Sequence, residues 1–209
     1  AYDTRGHGQS SAEGQDWTLE NLGQDVIAVL DAFGIDKAVF CGISMGGLTG
    51  QWLAINCAER FNHIVVCNTA AKIGNQQAWL ERAELVRAQG MGPVADSAAS
   101  RWFTTAYCEQ HADKVNPLIE TLRATSAEGY AKCCEVLADA DVRAELASAQ
   151  VPLTSIGGEF DPVTTVADAQ WIADQVAGAT VVSVPASHIS NIEAETQFTA
   201  AITEVLQQS

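Results

Sequence analysis

Gly42-Ile43-Ser44-Met45-Gly46 is the segment of this sequence richest in chemistry. In a G-x-S-x-G turn, glycines let a strand bend sharply into a helix, which holds the serine in a strained, exposed position at the end of a sheet. The same bend aims the Met45 N–H and the helix N-terminus at charge developing on a carbonyl oxygen. Serine is a weak nucleophile at neutral pH, so a base must take its proton and a carboxylate must orient that base. Asp161 and His188 fit those roles, each lying just after an apolar run, in the order serine, acid, histidine. A glycine-rich structural bend is the plainer reading of the motif alone. His7, His63 and His111 compete for the base, and Glu159, Asp168, Asp139 and Asp141 compete for the acid. Asp161-Pro162 also reads as simple turn chemistry.

Three residues this far apart in sequence can meet only if the elements between them are arranged for it. Leu19, Leu22, Val26, Val29 and Leu30 have helical spacing within 17–33, and Gly34 marks a stop. Residues 37–41 form a short apolar strand that feeds the serine turn, and 48–58 have helical character. Residues 62–68 read as a second buried strand, so a βαβ unit is expected. From 76 to 146 the β-branched runs give way to Ala, Glu, Leu and Arg, which predicts an inserted helical region. Strand character returns at 151–156 and 180–184, with helices over 166–176 and 194–206. The expectation is an α/β fold with a mostly parallel sheet flanked by helices: core over 1–75, a helical cap over 76–147, and core again over 148–209. All parallel strands end on one side, so 44, 161 and 188 can converge there.

The 209 residues suit one domain, and 47% hydrophobic against 18% charged residues supplies a large core and argues against disorder. With 26 acidic and 11 basic residues the net charge is −15, which repels phosphate backbones and anionic lipid surfaces, so neither nucleic acid nor membrane is an expected partner. No apolar run approaches the roughly 18 residues of a membrane span, and no signal-peptide pattern is present, so a cytoplasmic protein is expected. The six cysteines have no C-x-x-C spacing and no histidine at ligand distance, which predicts buried free thiols and no metal. The opening Ala1-Tyr2-Asp3-Thr4-Arg5-Gly6-His7-Gly8 reads like the exit from a strand, with His7 as a turn residue.

Arg5-Gly6-His7-Gly8, the turn over 42–48, Asp161 and Ser187-His188-Ile189-Ser190-Asn191 together resemble the α/β-hydrolase family. Within it the sequence resembles the 3-oxoadipate enol-lactonases, through the stretches 68–74, 101–104 and 129–135. The resemblance implies a lactone hydrolase of aromatic catabolism with no metal or organic cofactor, a triad on Ser44, Asp161 and His188, and an oxyanion donor at Met45. Such proteins usually begin with further strands and a His-Gly loop that supplies a second oxyanion donor. That layout leads us to expect about 50 more residues in front of Ala1. It also leads us to expect proline after the threonine rather than directly after Asp161.

A lactone bearing one carboxylate needs a cation. Lys72, Arg82, Arg87, Arg101, Lys114, Arg123, Lys132 and Arg143 lie in or beside the helical insert. Most surface cations are solvated; Arg82 and Arg101 are the first candidates, with Trp102 as an apolar wall. Four alternatives stay open. A general carboxylesterase or another capped hydrolase would use the same three residues, whereas a non-catalytic binder or an inactive fragment would use none of them.

Overall fold

The computed structural model describes residues 1–14 and 17–208. Four parallel strands, β1 (Ala38–Ile43), β2 (Phe61–Cys67), β3 (Leu153–Gly158) and β4 (Thr180–Val184), form one sheet in that order. Helix α1 (Leu19–Ala32) precedes β1, and α2 (Met45–Asn56) connects β1 to β2. Five helices separate β2 from β3: α3 (Gln76–Gln89), α4 (Gly92–Trp102), α5 (Thr105–Gln110), α6 (Ala112–Ala124) and α7 (Ala127–Asp139). Helix α8 (Val166–Gln175) joins β3 to β4, and α9 (Ser190–Glu193) and α10 (Glu195–Gln208) follow β4.

Local chemistry sets the ends of these elements. Thr18 and Asn21 form a reciprocal capping box at α1, and Thr165 with Asp168 does the same at α8. Strands β2 and β3 are buried along most of their length, as a parallel sheet covered on both faces requires. Leu48 and Leu53 of α2 pack with Ile64 and Val66 on one face of the sheet. On the other face Val65, Cys67 and Ile156 meet Ala201 and Val205 of α10. The helices between β2 and β3 have a cluster of their own, which includes Val86, Val94, Leu122 and Ala131.

The serine turn departs from expectation in two respects. Strand β1 runs on through Gly42 and Ile43 rather than ending at 41, so Ser44 sits directly at its carboxyl end. The two motif glycines also do different work. A Cβ on Gly42 would lie 2.3 Å from the Gly46 carbonyl oxygen, whereas a Cβ on Gly46 would meet nothing within 4 Å. Gly42 alone is required by the close approach. The thiols differ too: six free cysteines are present among the described residues, but Cys41 is exposed and Cys108 only half-buried.

Candidate functional site

Ser44 occupies the N-cap of α2 with φ 55° and ψ −116°, one of two described non-glycine residues at positive φ. An N-cap serine ordinarily turns its hydroxyl back onto the helix N–H groups. Ser44 makes no such bond, which leaves its Oγ free and leaves the first N–H groups of α2, beginning with Met45, without intrahelical partners. The turn is clamped from the next strand: Ser44 N donates to Cys67 O at 2.9 Å, and Thr69 Oγ1 donates to Ser44 O at 2.8 Å. Gly47 permits that approach, because a Cβ there would lie 2.7 Å from the Thr69 side chain.

Asp161 and His188 come from the loops after β3 and β4. The strand pairing continues past the sheet, with Glu159 N bonded to Val184 O and Phe160 N to Ala186 O. Gly158 allows this closeness, since a Cβ would lie 2.5 Å from Ser187 O. Both side chains are buried, and His188 Nδ1 lies 2.8 Å from Asp161 Oδ2. Asp161 closes a turn and also faces His188. Oδ1 accepts Val163 N at 2.7 Å and Thr164 N at 3.1 Å, closing the turn across Pro162, while Oδ2 accepts from His188, Asn68 and Thr164 Oγ1. Burial pushes the Asp161 carboxyl up, but His188 and these N–H donors outweigh it and hold the group below its ordinary value. A carboxylate acceptor at Asp161 favours the His188 tautomer with its proton on Nδ1 and a lone pair on Nε2.

The competing residues are otherwise engaged. Asp168 caps α8, Glu159 accepts from Ser183, Asp139 from Gln76, and Asp141 pairs with Lys72 and Arg143. His63 meets Thr154 Oγ1 at 2.9 Å, and His111 packs against Tyr107. His7 bonds to Arg5 O, as a turn residue would, yet it also lines the cavity described next.

Ser44, Met45 and His188 open onto one cavity of about 800 Å³, which Arg82, Arg101 and Trp102 line from the inserted helices. Ser44 Oγ and His188 share this space without a hydrogen bond between them among the described residues; that contact can close when substrate is bound. Carboxylates engage Lys72, Arg87, Lys114, Arg123 and Arg143, and Lys132 donates to the carbonyls of Ala12 and Gly14. Arg82 and Arg101 have no carboxylate partner among the described residues. Arg82 stacks on Trp79 with its guanidinium 4.9 Å from the ring centre, and Arg101 donates to Ser97 Oγ and Val94 O. Burial and then the nearby positive charge of Arg82 push the Arg101 guanidinium below its usual value. Burial raises the Tyr130 phenol, while both arginines act against that rise. No group of three or more His, Cys, Asp or Glu side chains able to hold a metal occurs among the described residues.

Asn68 is the residue that motif spacing misses. It ends β2 with φ 42°, is almost wholly buried, and donates through Nδ2 to Asp161 Oδ2 at 3.0 Å and to Ser187 O at 3.1 Å. Its Oδ1 accepts from Ser190 Oγ. An asparagine just past a strand is a sequence signal for left-handed backbone, but not for its partners.

A strained serine turn, an acid and a histidine at the carboxyl edge of a parallel sheet are the features of an α/β hydrolase, and a family model for the alpha/beta hydrolase fold matches residues 1–195. 3-Oxoadipate enol-lactonase 2 of Acinetobacter baylyi is 52% identical over 207 residues, which are 99% of this chain and 78% of that protein. 3-Oxoadipate enol-lactonase 1 of the same organism is 46% identical over 197 residues, 94% of this chain and 74% of its own length. The crystal structure of the enol-lactonase from Burkholderia xenovorans LB400 superposes with a TM-score of 0.96 at 42% identity, covering 99% of this chain and 79% of that one. The chain belongs to the 3-oxoadipate enol-lactonase family of α/β hydrolases.

Proposed function

We propose that this protein opens a carboxylated enol-lactone, 3-oxoadipate enol-lactone to 3-oxoadipate, through an acyl-enzyme on Ser44. The observation that carries the reading is the pairing, in one cavity, of Ser44 and His188 with two guanidiniums that lack carboxylate partners among the described residues. His188 Nε2 takes the Ser44 proton as Oγ attacks the lactone carbonyl carbon. The oxyanion that forms lies against the Met45 N–H, and Asp161 stabilises the imidazolium. The tetrahedral centre collapses with cleavage of the ring C–O bond. The leaving enolate takes the proton from His188 and settles as a ketone, which makes acylation hard to reverse. His188 then deprotonates a water that attacks the Ser44 ester, releasing the new carboxylate and returning the proton to Oγ.

Arg82 and Arg101 hold the carboxylate already present on the lactone, with Trp102 as an apolar wall. The helices over 76–147 act as a cap on a core formed by 1–75 and 148–209. The partner is a small anionic lactone, not nucleic acid or membrane, in keeping with the charge of −15. No described helix is long and apolar enough to cross a membrane. Six free thiols favour a reducing, cytoplasmic setting in an aromatic-degrading pathway. Turnover of the enol-lactone beside a neutral aryl ester tests the reading. Ser44→Ala abolishes both activities, whereas Arg82→Ala and Arg101→Ala raise KM for the lactone about tenfold or more and spare the ester. Normal lactone turnover by Ser44→Ala would falsify the scheme.

A further inference from the structure

The loop carrying His188 is bonded directly to the segment carrying Arg101 and Trp102. Glu193 makes the central link. Its Oε1 accepts Thr104 N at 3.0 Å and Thr104 Oγ1 at a shorter contact, and its Oε2 accepts Ser187 N at 2.8 Å. One carboxylate thus joins the residue before His188 to a residue three positions after Arg101. Further bonds run in parallel: Ile189 N to Trp102 O at 3.0 Å, Ser187 Oγ to Arg101 O at 3.4 Å, and Tyr107 Oη to Ile192 O at 3.2 Å. Glu193 has no cation among its bonded partners; donors from both sides converge on it. Because one carboxylate takes donors on two oxygens, neither side can shift without losing a charge-assisted bond.

We propose that Glu193 is a positioning residue that fixes the distance between the substrate-carboxylate site at Arg101 and the base His188, and so makes the protein selective for a lactone that reaches both. The proposal rests on the reading of Arg101 given above. A substrate that touches only Ser44 and His188 gains nothing from a fixed separation. One anchored at Arg101 must also present its carbonyl to Ser44, where a misplacement of about 1 Å costs on the order of a hundredfold in rate. Glutamine at 193 keeps one acceptor oxygen and sets an NH2 group against the other donor, which opens one side of the link.

The test is a double-mutant cycle between Glu193→Gln and Arg101→Ala, read as the ratio of kcat/KM for the charged enol-lactone to that for a neutral aryl ester. In an otherwise unaltered chain Glu193→Gln lowers that ratio about tenfold or more; in the Arg101→Ala background it leaves the ratio unchanged. Equal losses on both substrates, or the same fall in both backgrounds, would overturn the coupling. Thr104→Val, which removes the Oγ1 donor to Glu193 together with the α5 cap on Tyr107 N, gives the same pattern more weakly and serves if Glu193→Gln does not fold. An unaltered protein with no preference for the charged lactone refutes the functional reading and this proposal with it, and is recognised before any Glu193 variant is made.

Discussion

Replacing Asn68 should show how far the site depends on one strained, buried amide. Asn68→Ala deletes a hydrogen bond to the ionised Asp161, a loss of about 1.5–3 kcal/mol. It also strips partners from Ser187 O and Ser190 Oγ, each costing roughly 1–3 kcal/mol unless water enters the space left behind. Alanine must in addition adopt φ 42° without the polar side chain that lets asparagine tolerate left-handed backbone, a penalty of about 1 kcal/mol. A total near 3 kcal/mol, allowing for water, lowers Tm by about 6–12 °C, taking roughly 2–4 °C per kcal/mol for a chain of this size. Asn68→Gly removes the same bonds without the backbone penalty and should recover about 1 kcal/mol of the loss. The variants are compared by thermal and urea unfolding together with lactone turnover. Both should lose kcat more than KM, because Asp161 and the His188 loop are what Asn68 holds. Unfolding free energies within about 0.5 kcal/mol of the unaltered protein, or glycine no better than alanine, would refute this account of the position.

The glycines of the serine turn make an opposed pair. Gly42→Ala forces the first turn of α2 away from a Cβ and costs about 1–3 kcal/mol with loss of Ser44 labelling by a fluorophosphonate probe, while Gly46→Ala unfolds within about 0.5 kcal/mol of the unaltered protein; equal stabilities sink the distinction. Acid titration reads Asp161. Its folded value is depressed, so its contribution is complete above the unfolded value of about 3.9 and is lost as pH falls through the folded one. The stability gap between the unaltered protein and Asp161→Asn should therefore hold steady from about pH 8 to pH 5 and shrink below about pH 4. A gap constant down to about pH 3 contradicts the depressed value.

Much of the site is readable in the sequence because single residues state single requirements there. A glycine pair around a serine, between an apolar run and a helical one, marks a turn. An acid and a histidine after later apolar runs share the carboxyl edge of a parallel sheet. That Arg82 and Arg101 line the cavity accords with the concentration of the chain's 11 basic residues in and beside the inserted helices. Asn68 and Glu193 were not legible, because their partners lie 93 and 89 positions away, at Asp161 and Thr104. Nothing local in the sequence records such pairings. The unequal need for Gly42 and Gly46 was hidden for a related reason: composition shows a missing side chain but not what stands in its place.

Arg82 and Arg101 are like charges lining one largely apolar cavity, and the charge of Arg82 makes Arg101 harder to keep charged. No carboxylate among the described residues offsets that repulsion. On the proposed reading, a substrate carboxylate would offset that repulsion as well as form its own bonds. Opening the lactone as proposed turns one negative charge into two, with the second formed at the Ser44 ester. Two guanidiniums proposed to hold one carboxylate leave the second without a matched cation, and a net charge of −15 repels a dianion more strongly than the monoanionic lactone.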